Sequence, residues 1–221
     1  MPDFSDKIIL IAGAGRSLGR ELAAGFAAQG GILILNDLTP VALDRTLAAL
    51  RPLGGRAQPY VADIASKLAL QTMLNTIVDE HGRIDILINC TAADPRDPLL
   101  DLDEWHWRRT LDLNLTGPFL LMQSVARIMR AQGGGAILSV IELAGSTPAA
   151  VPGRMGLMGL TRSAAPELMA YNIRINALCA GCPEAEPRPD LPSSLAERAL
   201  ALCAADSAET GKIISLGQAR S

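Results

Sequence analysis

The residues best suited to chemistry stand near the start of the chain. Gly13-Ala14-Gly15-Arg16-Ser17-Leu18-Gly19 is a glycine-rich turn that follows the apolar run Lys7 to Ala12. After it, Glu21 to Gln29 carries Leu22, Ala23, Phe26 and Ala27 at helical spacing. A second apolar run, Ile32 to Leu35, then ends in Asn36 and the carboxylate of Asp37. In this order of strand, turn, helix and strand, glycines let the backbone approach a pyrophosphate. The free N–H groups and dipole at the helix start attract the anion. A carboxylate about 20 residues past the turn can accept hydrogen bonds from an adenosine ribose. A glycine turn alone is common in α/β proteins; the whole unit is what points to a dinucleotide.

The remaining elements must hold that turn. Thr39-Pro40 reads as an N-cap followed by a proline at the first helical position, opening a helix that closes near Gly54-Gly55. Ala57 to Ile64 reads as a third strand carrying Asp63, and Ser66 caps a helix running to His81-Gly82. Ile84 to Asn89 is the fourth strand, and one long helix is predicted from about Asp103 to Met129. Ala136 to Glu142, Ile173 to Cys179 and Lys212 to Leu216 complete the strands. Helices are predicted over Met155 to Tyr171 and Ser194 to Ala205. Alternating strands and helices predict an α/β, doubly wound three-layer sandwich, with a central parallel sheet of about seven strands. No repeat or linker interrupts 1–221, so a single domain is expected.

With 49% apolar but only 3% aromatic residues, the core is aliphatic, as a helix-covered parallel sheet requires. A net charge of -3 offers no electrostatic footprint for nucleic acid or for an anionic membrane. No run has the length of a membrane span, and the acidic start Met1-Pro2-Asp3 does not read as a signal peptide, which points to the cytoplasm. The four cysteines, Cys90, Cys179, Cys182 and Cys203, fit reduced thiols there. Cys179-Ala180-Gly181-Cys182 has redox-motif spacing but no second pair to make a zinc site, so no metal is expected.

The glycines at 13, 15 and 19 are spaced one residue wider than G-x-G-x-x-G. That spacing resembles the short-chain dehydrogenase/reductase family, whose turn reads T-G-x-x-x-G-x-G. Further landmarks occur in the family's order: Asp63, Asn89, Asn114 in Leu113-Asn114-Leu115-Thr116-Gly117, then Gly156 to Arg162, Asn172 to Ala177, and Thr210-Gly211-Lys212. The resemblance covers essentially the whole chain. It implies a Rossmann-type fold and a nicotinamide cofactor held by Gly13, Gly15, Arg16, Ser17, Leu18, Gly19, Asp37, Asp63, Ile64 and Asn89. Asp37 argues for NAD over NADP, because a carboxylate repels a 2′-phosphate. Ala12 replaces the family's threonine and Ser17 its second glycine, so binding is expected to be weakened.

The family transfers hydride with a Tyr-x-x-x-Lys pair and a serine on the fifth strand. This chain lacks them. Its tyrosines, Tyr60 and Tyr171, are followed four residues later by Ile64 and Ile175, and its only lysines are Lys7, Lys67 and Lys212. Glu142 stands at the serine position, Arg154 lies near the lysine position, and the segment between Gly145 and Gly156 is shorter than the family's. The substrate-covering segment has shrunk to a proline-rich loop, 182–193. In it, Pro183 offers no N–H where the family holds the carboxamide. Cys90-Thr91-Ala92 replaces the family's N-A-G, and Pro166 falls inside a helix, where it costs roughly 3 kcal/mol or a kink.

These departures predict a member that has lost hydride transfer and acts as a partner or regulatory subunit. It is expected to form a homodimer, or a hetero-oligomer with an intact homologue, through the two long helices. The alternative is an active NAD-dependent oxidoreductase of the alcohol/ketone or 3-oxoacyl type using other groups, with Glu142 as proton donor and Asn114 the remaining candidate. His106, between Trp105 and Trp107, reads as a surface residue.

Overall fold

The computed structural model describes residues 2–143, 146–182 and 194–216. Pro183 and all but the first residue of the 182–193 loop lie outside them. In chain order the elements are β1 (Ile8–Ala12), α1 (Ser17–Ala28), β2 (Ile32–Asp37), α2 (Pro40–Leu50), β3 (Arg56–Val61) and α3 (Lys67–His81). They continue with β4 (Ile86–Asn89), α4 (Glu104–Leu111), α5 (Gly117–Gln132), β5 (Gly135–Glu142) and α6 (Ala150–Met169). The last are β6 (Ile173–Ala180), α7 (Leu195–Cys203) and β7 (Ile213–Ser215). All seven strands are parallel and form one sheet in the order β3-β2-β1-β4-β5-β6-β7.

Side chains alternate across each strand, and in the central strands such as β1 and β4 both faces are buried. Ile8, Leu10 and Ala12 pack with Leu70, Leu121 and Leu157 under α3, α5 and α6. Ile9 and Ile11 pack with Leu22, Phe26 and Leu43 under α1 and α2, on the face that also holds α7. This is why the strand sequences are continuous apolar runs. The strand order reverses between β1 and β4, and the crevice at such a switch point, outside the carboxyl ends of the strands, is where this architecture binds ligands.

Several predicted boundaries are corrected. The first helix starts at Ser17 rather than Glu21, inside the glycine-rich segment. Thr39 precedes α2 with extended backbone but makes no side-chain cap, whereas the predicted Ser66 cap is present, its Oγ accepting from Ala69 N at 3.4 Å. β3 stops at Val61, so Asp63 stands in the loop beyond it. Pro59 is tolerated in β3 because β3 is an edge strand. The predicted continuous helix from Asp103 is broken by a π-helical turn over Asp112–Thr116, centred on Asn114. α6 begins at Ala150, five residues before the predicted Met155, and Ala149 and Ala150 at its head are fully buried.

Cys179 and Cys182 are brought side by side, with Cα atoms 5.8 Å apart, within the range a disulfide spans. Cys90 and Cys203 are buried and lie apart from that pair. Burial raises the thiol pKa of both free cysteines, that of Cys203 to about 12.

Candidate functional site

The glycine turn sits at the switch point. Gly13 N and Ala14 N both donate to Asn36 O, at 2.9 and 3.0 Å, tying the turn to the end of β2. Gly13 has φ +79°, and a Cβ there would lie 2.7 Å from the Cys90 carbonyl carbon, so only glycine fits between β1 and the β4 loop. No side chain caps α1, and Ser17 and Leu18 at its start line the crevice. Asp37 Oδ2 accepts from Gly15 N at 3.0 Å and Oδ1 accepts from Leu38 N at 2.8 Å, which fixes the carboxylate beneath the turn.

Asp63 closes the same side. Its Oδ1 accepts from Ala65 N, and its Oδ2 accepts from Arg109 Nη2 of α4 at 2.8 Å. Asp37, Asp63, Ile64, Gly13 and Arg16 line a hollow of about 140 Å³. Asn89, at the end of β4, is buried; its Oδ1 accepts from Thr91 N and Oγ1, and its Nδ2 has no partner among the described residues.

Beyond the turn the crevice narrows. A hollow of about 40 Å³ is lined by Arg16, Ser17, Leu18, Thr91, Glu142 and Arg154, among others. The Arg154 side chain is only 7% exposed. Its Nη1 donates to the Glu142 carbonyl oxygen at 2.6 Å, to Ser146 Oγ, and to Asp94 Oδ2 at 3.3 Å. Asp94 is also held by Thr147, whose N and Oγ1 donate to Oδ1 at 3.1 and 2.6 Å. Burial pushes the Asp94 carboxyl up, but the Thr147 hydrogen bonds, with Arg154 and Arg96, outweigh it and hold it below the ordinary carboxylate value.

The residue four before Arg154, the spacing of a Tyr-x-x-x-Lys pair, is Ala150, a buried methyl. Asn114 is 2% exposed and fully engaged: its Oδ1 accepts from Ala93 N at 2.7 Å and its Nδ2 donates to Ala93 O at 2.8 Å. Its work is to clamp the loop after β4. Glu142 ends β5 with an exposed side chain.

Of the residues expected from the sequence, Gly13, Asp37, Asp63 and Ile64 line the larger hollow, Ser17, Leu18 and Glu142 the smaller, and Arg16 both, while Gly15, Gly19 and Asn89 line neither. Sequence reasoning missed Arg109, Asp94 and the reach of Arg16, whose Nη1 donates across the crevice to Ala92 O. No local pattern reports these contacts, since their partners lie 46, 60 and 76 residues apart. His106 is a partly exposed residue beside Asp97 and Asp103, as its placement between tryptophans suggested. Among the described residues no group of three or more His, Cys, Asp or Glu could hold a metal.

A parallel sheet with a glycine turn and an acidic residue at its switch point defines a nucleotide-binding α/β protein of Rossmann type. Residues 7–193 match the family model for short chain dehydrogenases, and the chain belongs to the short-chain dehydrogenase/reductase family. An uncharacterized oxidoreductase of Thermotoga maritima is 35% identical over 191 residues, covering 83% of this chain and 74% of that protein. The 3-oxoacyl-(acyl-carrier-protein) reductase of the same organism is 32% identical over 200 residues, covering 88% and 81%. The crystal structure of a short-chain type dehydrogenase/reductase from Mycobacterium marinum superposes with a TM-score of 0.85 at 26% identity, covering 99% of this chain and 97% of that one.

The family is one of oxidoreductases that use nicotinamide cofactors. The hollows flanking the turn measure about 140 Å³ on the Asp37 and Asp63 side and about 40 Å³ on the Arg154 side, where a buried guanidinium forms part of the wall.

Proposed function

We propose that this chain is a nucleotide-binding member of the family that has lost hydride transfer and serves as a partner or regulatory subunit for an intact homologue in the cytoplasm. One nucleotide-binding domain carries this role. The observation that carries the reading is Arg154, one helical turn after Ala150 and locked by Asp94, Ser146 and the Glu142 carbonyl. An arginine does not deprotonate near neutral pH, and an alanine has no proton to exchange, so neither replaces a tyrosine–lysine pair. Glu142, the remaining acid, is exposed at the strand end.

Asp37, held beneath the glycine turn, supports NAD over NADP, because a 2′-phosphate would meet a carboxylate already fixed by two backbone N–H groups. Assembly is supported by the open groove between α5 and α6, a hollow of about 370 Å³ lined by Phe119, Met122, Leu160, Leu168 and Tyr171 among others. Phe119 and Tyr171 are 39% and 40% exposed. Exposed aromatic residues on such a face suit a protein partner. No described helix is long and apolar enough to cross a membrane. The net charge of -3 gives nucleic acid no basic surface.

The test is nicotinamide absorbance during incubation of the purified chain with a panel of ketones, alcohols and acyl thioesters. No change is expected, since one well-placed proton-transfer group is worth about 10²–10⁴-fold in rate. Turnover that vanishes in Glu142→Gln would replace this reading with an active oxidoreductase using non-standard groups.

A further inference from the structure

We propose that Cys179 and Cys182 are a reversible dithiol–disulfide couple, oxidised by exchange with low-molecular-mass disulfides. This goes beyond the nucleotide-binding reading and does not rest on it. Cys179 is the last residue but one of β6, and Cys182 follows the strand's end. Between them Gly181, exposed and at φ +71°, turns the chain back, a conformation that suits glycine. Cys182 is thereby returned to Cys179 with Cα atoms 5.8 Å apart, at the centre of the range a disulfide bridges. Both side chains join the same apolar cluster, together with Met158 of α6.

Two cysteines can also serve simply as small apolar side chains. The other two cysteines show the difference. Cys90 and Cys203 are 6% and 5% exposed, much like Cys182 at 7%, but neither has a cysteine neighbour. Similar burial with and without a partner makes them controls within the same chain. Neither Cys179 nor Cys182 begins a described helix, so the motif lacks the helix N-terminus that activates the attacking thiol of a disulfide oxidoreductase. It is a switch that follows its surroundings, not a catalyst of exchange in other proteins. In a cytoplasm such a pair rests as the dithiol and oxidises when the thiol–disulfide balance shifts.

Cys179 is fully buried, so exchange begins at Cys182. The Cys182 thiolate attacks one sulfur of the small disulfide, whose S–S bond breaks as the mixed disulfide forms. The sulfur released takes up the proton that Cys182 gave up. The Cys179 thiolate then attacks the Cys182 sulfur, forms the internal bond and expels the second small thiol, which takes the Cys179 proton. Two electrons pass from the chain to the oxidant, and one small disulfide becomes two thiols. Cys182 Sγ stands 4.0 Å from Met158 Sδ, so oxidation removes a thiol hydrogen from that contact and ties Cys182 to β6. Leu216 N and Leu143 N donate to Cys179 O and Ala180 O, both at 2.8 Å, which joins the linked segment to the ends of β7 and β5.

The test is equilibration of the full chain in mixtures of reduced and oxidised glutathione, quenched in acid, unfolded, alkylated and read by mass spectrometry. The peptide carrying both cysteines should lose both alkylation sites together, with a mass lower by two hydrogens, and regain them on reduction. Diluting both glutathione forms about tenfold at a fixed ratio should raise the oxidised-to-reduced ratio of the pair about tenfold, because closing an internal disulfide releases two thiols. A mixed disulfide on a single cysteine releases one thiol and does not respond to that dilution. Cys179→Ala and Cys182→Ala should each abolish the response, and Cys203→Ala should keep it. The unaltered chain decides the question even where a variant folds poorly. A pair that stays alkylated in excess oxidised glutathione, a modification level unmoved by dilution, or equal loss of alkylation at Cys90 and Cys203 would overturn the couple.

Discussion

Asp37 joins the glycine turn to the end of β2 before any ligand arrives, through Gly15 N and Leu38 N. Those bonds orient the carboxylate, and the ribose hydroxyls would share its remaining lone pairs. Asp37→Ala should therefore weaken NAD and also relax the discrimination against NADP, both measurable by calorimetry. NADP binding tighter than NAD in the unaltered chain would show that Arg16 outweighs Asp37. Asp94 gives the second residue-scale prediction. Its folded pKa is depressed below the unfolded value, so its contribution to stability is fully present above about pH 4 and is lost as pH falls through the folded pKa. Asp94→Asn should unfold at lower temperature at neutral pH and lose part of the acid dependence below pH 4. An unchanged acid limb in that variant would place the sensitivity elsewhere.

At the scale of elements, the turn depends on Gly13 and the partner face on α6. Gly13→Ala would place a Cβ 2.7 Å from the Cys90 backbone at φ +79°, where neither side can yield cheaply. A loss of at least about 1 kcal/mol is expected in denaturant unfolding, together with loss of nucleotide binding. α6 runs from Ala150 to Met169 through Pro166, which removes one backbone N–H from the helix ladder. Pro166 is exposed, so Pro166→Ala should raise stability by up to about 3 kcal/mol without disturbing the core, and should tighten self-association. The elements differ in how far the sequence revealed them. Ile8–Ala12 and Ile32–Asp37 were legible as strands because full burial leaves an apolar run, and Ser66 because a cap is a local event. The π-turn at Asn114 was not legible: it follows from a two-bond clamp on Ala93, 21 residues away. The start of α6 was hidden because Ala, Val and Pro at its head carry no helical stripe. In the site, the turn and its carboxylates were readable, whereas the Arg154 cluster arises only when β5, the β4 loop and α6 meet.

At the scale of the whole molecule, the sheet fixes one crevice at its switch point and leaves one open groove between α5 and α6 on the flank. Of the apolar stripe on those helices, Leu121, Val125 and Leu157 are buried in the chain's own core. Met122 is buried too, at the floor of the groove, while the partly buried Leu160 and Leu168 line its walls, where a second chain can cover them. Two α6 helices, each with Pro166 in its ladder, must match across a two-fold axis in a homodimer, whereas a homologue without that proline brings only one interrupted ladder to the interface. The partner reading is tested most directly by light scattering at tens of micromolar, on the chain alone and after co-expression with an intact family member. The account predicts a weak homodimer that exchanges into a tighter hetero-oligomer. A strictly monomeric mass, unchanged by co-expression, would contradict it.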